Sequence, residues 1–189
     1  MNNIKDFINF DFNTICEIGV FMPDSVQCKD LISSFTNVIF IEPNPVCAEE
    51  LKKIYNSSNI QIINKAIADT NNDIKLYMRG NHDASAFIET VPSSPLLTEN
   101  FKKDKNYIVC QGITFDKVDP ENIDILCLDM EGAEWFALKH MRSRPKLISV
   151  EMQGGNYINP FKFEIEQWMN NNHYQIIHHG MNDTYYKLI

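Results

Sequence analysis

The sequence predicts an α/β domain built around a mostly parallel sheet and finished by an antiparallel hairpin. Three observations carry this reading. Short runs rich in β-branched and apolar residues alternate with longer helical stretches, the pattern of strand-helix-strand units. The runs at residues 38–41 and 123–128 are almost continuously apolar, as strands buried on both faces must be. Near the end of the chain, two strand-like segments flank Gly180-Met181-Asn182-Asp183, a hairpin signal.

Taken in order, residues 14–18 read as the first strand, ending at Gly19, and Asp24 is placed to cap an amphipathic helix over residues 25–35. Residues 38–41 form the second strand, and Glu42-Pro43-Asn44-Pro45 stops it because proline brings no ladder donor. A helix over 48–55, a third strand over 60–63 and an additional strand over 73–78 follow, the last entered through the turn Asn71-Asn72-Asp73. From residue 80 to 105 the periodicity is lost and Pro92, Ser93, Ser94 and Pro95 accumulate. A long loop with at most one short helix is expected there, and loops of such length are often functional. Strand 123–128 ends at Asp129 and leads into a helix over 131–141. Strand 146–150 ends at Glu151, and a helix over 161–170 carries Phe161, Ile165, Trp168 and Met169 on one stripe. Residues 174–179 and 184–188 make the hairpin. The expectation is one domain over residues 1–189, with a lead-in over 1–13 and the terminal hairpin over 173–189.

Composition fits that class: of 189 residues, 44% are apolar and 22% charged, which argues against disorder. Lys and Arg total 17 against 25 Asp and Glu, a net charge of −8. A general nucleic-acid binder is disfavoured, because phosphate neutralisation needs clustered positive charge. No apolar run approaches the roughly 18 residues of a membrane span, and no secretory leader is evident, so a cytoplasmic protein without membrane attachment is expected. Five cysteines at wide spacings, without a Cys-x-x-Cys pair, read as reduced structural thiols, and no metal is expected.

Chemistry concentrates at strand ends. Glu17, Glu42 and Asp129 all lie at the C-termini of predicted parallel strands, where open α/β sheets bind ligands. Glu42, some 23 residues beyond Gly19, stands where such folds place a carboxylate that accepts hydrogen bonds from ribose hydroxyls. The Glu17-Ile18-Gly19-Val20-Phe21-Met22-Pro23 turn has one glycine and lacks Gly-x-Gly-x-x-Gly, so a dinucleotide with a pyrophosphate is disfavoured. A nucleoside without phosphate, such as S-adenosylmethionine, needs one close backbone approach, and its sulfonium suits acidic surroundings.

In order and spacing, Cys16-Glu17-Ile18-Gly19, Ile41-Glu42-Pro43-Asn44-Pro45, Asn64-Lys65-Ala66-Ile67-Ala68-Asp69 and above all Leu128-Asp129-Met130-Glu131-Gly132-Ala133-Glu134 resemble the motifs of FkbM-type S-adenosylmethionine-dependent methyltransferases. The resemblance spans about residues 14–150. It implies a Rossmann-like class I methyltransferase fold, with a seven-stranded, mostly parallel sheet, a C-terminal antiparallel hairpin and helices on both faces. It also implies S-adenosyl-L-methionine as cofactor, held by Glu17, Ile18, Gly19, Glu42, Pro43, Asn44, Ala66, Ile67 and Asp129. Glu17 and Gly19 would approach the methionine part, Glu42 the ribose, and Ala66 and Ile67 the adenine. Asp129 would lie near the methionine amino end or the reacting centre. Glu131, His82 and Asp129 are the catalytic candidates, with residues 80–105 as the loop at the active site. Glu17 stands where the family usually has Asp, Phe21 where many members have Asn and Pro23 where many have Gly, departures that bear on cofactor affinity.

The implied reaction is O-methylation of a sugar, glycan or small secondary product, with the protein aligning acceptor oxygen, methyl and sulfur, and a base removing the hydroxyl proton. Asp129, Glu131, Glu151 and His82 are available bases, with Glu131 and His82 favoured near the acceptor. Simpler readings stand beside these. Acids such as Glu131 and Glu134 also suit a helix N-terminus through the helix dipole, and a loop histidine such as His82 is commonly a surface residue. His178 and His179 alternate sides of a strand and do not make a metal pair, and Trp135, Phe136 and Trp168 read as core. Two alternatives remain open: a methyltransferase-like binding module without turnover, and a nucleoside-dependent oxidoreductase. A homo-oligomer is also open.

Overall fold

The computed structural model describes residues 4–78, 86–88, 106–154 and 157–189. In chain order the strands are β1 (Thr14–Ile18), β2 (Asn37–Ile41), β3 (Ile60–Ile63), β4 (Ala66–Ile67), β5 (Asp73–Met78), β6 (Ala86–Ile88) and β7 (Tyr107–Ile113). They continue as β8 (Ile125–Leu128), β9 (Leu147–Glu151), β10 (Gln153–Gly154), β11 (Tyr157–Ile158), β12 (Tyr174–His179) and β13 (Asp183–Leu188). The α-helices are α1 (Pro45–Ile54), α2 (Glu134–Leu138) and α3 (Lys162–Asn171).

The main sheet has seven strands in the order β12-β13-β9-β8-β1-β2-β3. β3, β2, β1, β8 and β9 run parallel, while β13 is antiparallel to both β9 and β12. The sheet is therefore mixed, its antiparallel pairs confined to the end formed by the hairpin. Every residue of β1 and β8 is buried, and the period-2 alternation of strands divides them between two cores. Cys16, Ile18, Leu126 and Leu128 meet Ala137 and Leu138 of α2 and Ile165 and Met169 of α3. Ile15, Phe40, Ile125 and Cys127 meet Leu51 of α1 on the opposite face. Helices thus cover both faces. Each fully buried Ile, Leu or Phe stabilises this arrangement by roughly 1.5–3 kcal/mol. Among the described residues no helix is long and apolar enough to cross a membrane.

Several elements differ from the sequence expectation. Residues 25–35 form no α-helix; two 3-10 segments, Pro23–Ser25 and Lys29–Ser34, take their place. The cause is the buried Glu17 carboxylate, which accepts the backbone N–H of Gln27 at 2.8 Å and of Cys28 at 3.2 Å. Those amides are then lost to a helical ladder. Asp24 caps nothing and pairs with Lys29 at 3.2 Å. Helix α1 begins earlier than expected, with Pro45 in its first turn and the Asn44 side chain accepting the Val46 N–H at 3.0 Å. Helix α2 is shorter than expected, because Glu131 and Gly132 have φ of +52° and +99° and cannot belong to a right-handed helix.

The larger difference is a second, four-stranded sheet of order β4-β7-β5-β6. The expected strand at 73–78 belongs here, paired antiparallel with β6 and β7. β6 lies within the expected loop, and β7 was not expected at all. Most of residues 80–105, His82 included, lies outside the described residues.

Candidate functional site

Parallel strands present their C-terminal ends along one rim, and a ligand crevice opens where the strand order changes direction. Here that point lies between β1 and β8, since the chain runs outward through β2 and β3 and returns to the centre at β8. A cleft of about 550 Å³, its open mouth included, occupies this position. Ile18 at the end of β1 and Gly19 after it, Glu42, Pro43 and Asn44 after β2, Ala66 and Ile67 of β4, and Asp129 and Glu131 after β8 all line it. The sequence did not single out its apolar remainder, Leu76, Ile88, Met130 and Ala133, which the second sheet and the β8–α2 turn supply.

Gly19 sets the depth of the cleft. Its N–H donates to Ile41 O at 2.9 Å, its φ is +82°, and a Cβ built on it would lie 1.7 Å from the Asp129 carbonyl oxygen. Only glycine permits this approach of two strand ends. Phe21 follows at φ +60° and donates its N–H to Glu42 Oε2 at 2.7 Å, while Asn44 N–H donates to Oε1 at 2.8 Å. Glu42 is buried between these two amides, and burial raises its pKa to about 7 against the lowering effect of both bonds. Each oxygen accepts a single N–H, so acceptor capacity is left over for a diol.

Glu17 does not reach the cleft. Its carboxylate turns into the β1–β2 connection to hold Gln27 and Cys28, so, unlike the other residues expected to hold the cofactor, it does not line the cleft. Alternation along β1 is the reason: Ile18 faces one core and Ile15 the other, and Glu17 shares the side of Ile15.

The Asp129-Met130-Glu131-Gly132-Ala133-Glu134 turn is fastened from within. Glu134 is fully buried, and its Oε1 accepts the N–H of Met130 at 2.8 Å and of Gly132 at 3.2 Å. Its Oε2 accepts from Asn159 Nδ2 at 2.5 Å. That clamp presents Asp129 and Glu131 to the cleft. Reading Glu134 as a helix-dipole acid missed this role; the signal available was a second acid two residues beyond a glycine.

Carboxyl groups crowd around the turn. Burial, then Glu131, Glu134 and Asp183, holds the Asp129 carboxyl far above the carboxylate range. Burial raises Glu134 to about 7. Burial and then Asp129 push Glu151, at the end of β9, to about 10. These shifts imply a stability profile. In the unfolded chain such carboxyls lose their protons near pH 4.5, whereas the folded chain keeps those of Glu42 and Glu134 until about pH 7. Folding therefore weakens as pH rises through that window. Asp69, lowered by its hydrogen bonds with Lys139 and then His140, acts oppositely and only in acid. Thermal melts of the ligand-free protein are expected to peak near pH 5 and fall towards pH 8, and Glu42→Gln should flatten the fall. A melting temperature rising steadily to pH 8 contradicts this electrostatic picture.

The fold at this point is that of class I methyltransferases. A putative caffeoyl-CoA O-methyltransferase from Staphylococcus aureus superposes with a TM-score of 0.52 at 12% identity, covering 93% of this chain and 76% of that one. The pyocyanin biosynthetic protein PhzM superposes at 0.50 and 9% identity, covering 98% of this chain and 53% of its own length. A putative methylase from Haemophilus influenzae gives 0.48 at 16% identity, with 95% and 82% covered. A comparison with curated proteins finds no match. Residues 29–176 match the methyltransferase FkbM domain, and the chain belongs to that family. The matched span carries the Asp129–Glu134 motif and leaves the Gly19 turn outside it.

Proposed function

We propose that this protein is an S-adenosylmethionine-dependent methyltransferase that methylates a hydroxyl oxygen on a sugar, a glycan or a small secondary product. The observation that carries the reading is the convergence of Gly19, Glu42 and Asp129 on one cleft with an apolar side formed by Ala66, Ile67, Leu76 and Ile88. The residues fit the cofactor. Glu42 retains acceptor capacity for the two ribose hydroxyls, the apolar side suits an adenine face, and the acids around Asp129 gain from a neighbouring cation. Bound there, the cofactor supplies an electrophilic methyl group. Glu131, held at φ +52° by the clamped turn, borders the acceptor side, and the protein's contribution is alignment together with removal of the hydroxyl proton.

Calorimetry with S-adenosylmethionine and S-adenosylhomocysteine tests cofactor binding, and transfer of labelled methyl to a panel of glycans and phenolic alcohols tests turnover. Both are expected to succeed. Heat without transfer would leave a binding module, and no heat with either compound would overturn the reading. Glu42→Ala is expected to weaken cofactor binding by about 10–100-fold, because a charge-assisted hydrogen bond contributes roughly 1.5–3 kcal/mol. Unchanged affinity in that variant removes Glu42 from the site.

A further inference from the structure

One strand beyond Asp129, the rim carries a second arrangement that the cofactor cleft does not use. Leu128 is in register with Val150, so Glu151, the next residue of β9, stands beside Asp129. On its other side Asp183 of β13 is in register with it. The Glu151 Oε2 is buried and has no hydrogen-bond partner among the described residues, and neither has the hydroxyl of Tyr157, a residue only 3% exposed. Asn159, two residues beyond Tyr157, reaches both the Glu134 carboxylate and the Glu151 carbonyl, which sets Tyr157 beside the same acidic cluster, and burial and then the charges of Glu134, Glu151, Glu131 and Asp129 raise the pKa of its hydroxyl. The neighbouring amide is already spent: Asn159 Nδ2 donates to Glu134 Oε2 at 2.5 Å and to the Glu151 carbonyl at 3.0 Å. Two buried polar groups left unsatisfied beside a cleft are the mark of a site completed by a ligand. Among the described residues no group of acids, histidines or cysteines is arranged to hold a metal ion.

An alcohol oxygen completes this pair. It has one proton to donate and two lone pairs. We propose that Glu151 and Tyr157 form the acceptor subsite, in which the reacting hydroxyl donates its proton to Glu151 and accepts a hydrogen bond from Tyr157; the inference rests on the methyl-transfer reading above. The second lone pair of the oxygen is then free to face the cleft beside Asp129. As that oxygen bonds to the methyl carbon, the carbon–sulfur bond breaks with its electron pair left on sulfur, and the hydroxyl proton passes to the Glu151 carboxylate.

The surroundings also time the step. The strongest charges on Glu151 are all negative, from Asp129, Glu131 and Glu134 on the turn and first residue of α2 and from Asp183 on β13, and Tyr157 of β11 contributes a neutral hydroxyl. Without a cation nearby the carboxyl keeps its proton at pH 8. A sulfonium beside Asp129 offsets that crowding and releases the proton, so binding of the methyl donor readies the base.

The test is calorimetry at pH 8 in phosphate and in Tris, which differ in ionisation enthalpy and so report protons released on binding. The wild-type protein is expected to release more protons with S-adenosylmethionine than with S-adenosylhomocysteine, which lacks the sulfonium charge. Glu151→Gln should lose that excess, keep its cofactor affinity within about 3-fold, and lower methyl transfer by ~10²–10³-fold. Neither variant should melt below wild type: Tyr157→Phe removes an unsatisfied hydroxyl, and Glu151→Gln puts a neutral amide where the folded chain already holds a protonated carboxyl among other acids. Equal proton release with the two compounds, an excess that survives in Glu151→Gln, or a lowered melting temperature in both variants would overturn the proposal. Absence of any binding heat would instead overturn the methyl-transfer reading.

Discussion

Gly19→Ala is expected to close the cleft and to cost the fold on the order of 2–5 kcal/mol. Two effects add. An alanine at φ +82° is in a region that costs an L-residue roughly 1–2 kcal/mol. Its Cβ, 1.7 Å from the Asp129 carbonyl oxygen, meets backbone instead of a movable side chain, so the ends of β1 and β8 must part. The parting disturbs the Asp129 turn and the Phe21 N–H that holds Glu42 at 2.7 Å. Chemical denaturation should show the stability loss, and calorimetry at low temperature, where the variant stays folded, should show cofactor affinity reduced by at least 100-fold. Wild-type affinity in a folded Gly19→Ala protein would mean that the close approach of these strand ends is irrelevant to binding.

The second large effect belongs to Glu134. Glu134→Ala leaves the Met130 and Gly132 N–H groups without their acceptor and takes from the Asn159 amide one of its two, the Glu151 carbonyl remaining. At roughly 1–3 kcal/mol for each unsatisfied buried donor, the loss is about 3 kcal/mol or more, a fall of about 10 °C in melting temperature for a chain of this size. Removing a negative charge next to Asp129 offsets part of this, and the offset grows above pH 7, where Glu134 is ionised. Glu134→Gln keeps one acceptor oxygen for the two backbone amides but turns an NH₂ towards Asn159, so it should cost about half as much. Differential scanning calorimetry at pH 6 and pH 8 distinguishes the cases. An Ala variant as stable as wild type would show that the turn holds itself.

What the sequence disclosed and what it withheld follow from the range of the interactions involved. The five parallel strands were legible because runs such as Val38-Ile39-Phe40-Ile41 record burial on both faces locally. That Glu42, Asn44 and Asp129 line the cleft was legible because strand termini are a topological position. The position of Glu17 off the cleft was not legible, because strand alternation, together with two amides ten and eleven residues on, decides where its carboxylate goes. The helix expected over 25–35 failed for the same reason. The second sheet was hidden in its pairings: β7 alternates between exposed and half-buried residues over most of its length, and the residues of β5 it pairs with antiparallel lie thirty or more positions upstream. The Glu151–Tyr157 pair depends on a two-residue strand, β11, too short to leave a periodic signal.

The expected effects on cofactor binding and turnover depend on one claim, that the rim between β1, β2 and β8 seats a nucleoside whose ribose is held by Glu42. A crystal structure of the complex with S-adenosylhomocysteine addresses it most directly. The predicted result is both ribose hydroxyls within about 3.2 Å of the Glu42 carboxylate, with the base against Ala66 and Ile67. A ligand seated elsewhere on the chain, or a ribose that leaves Glu42 bonded to Phe21 and Asn44 alone, would contradict it.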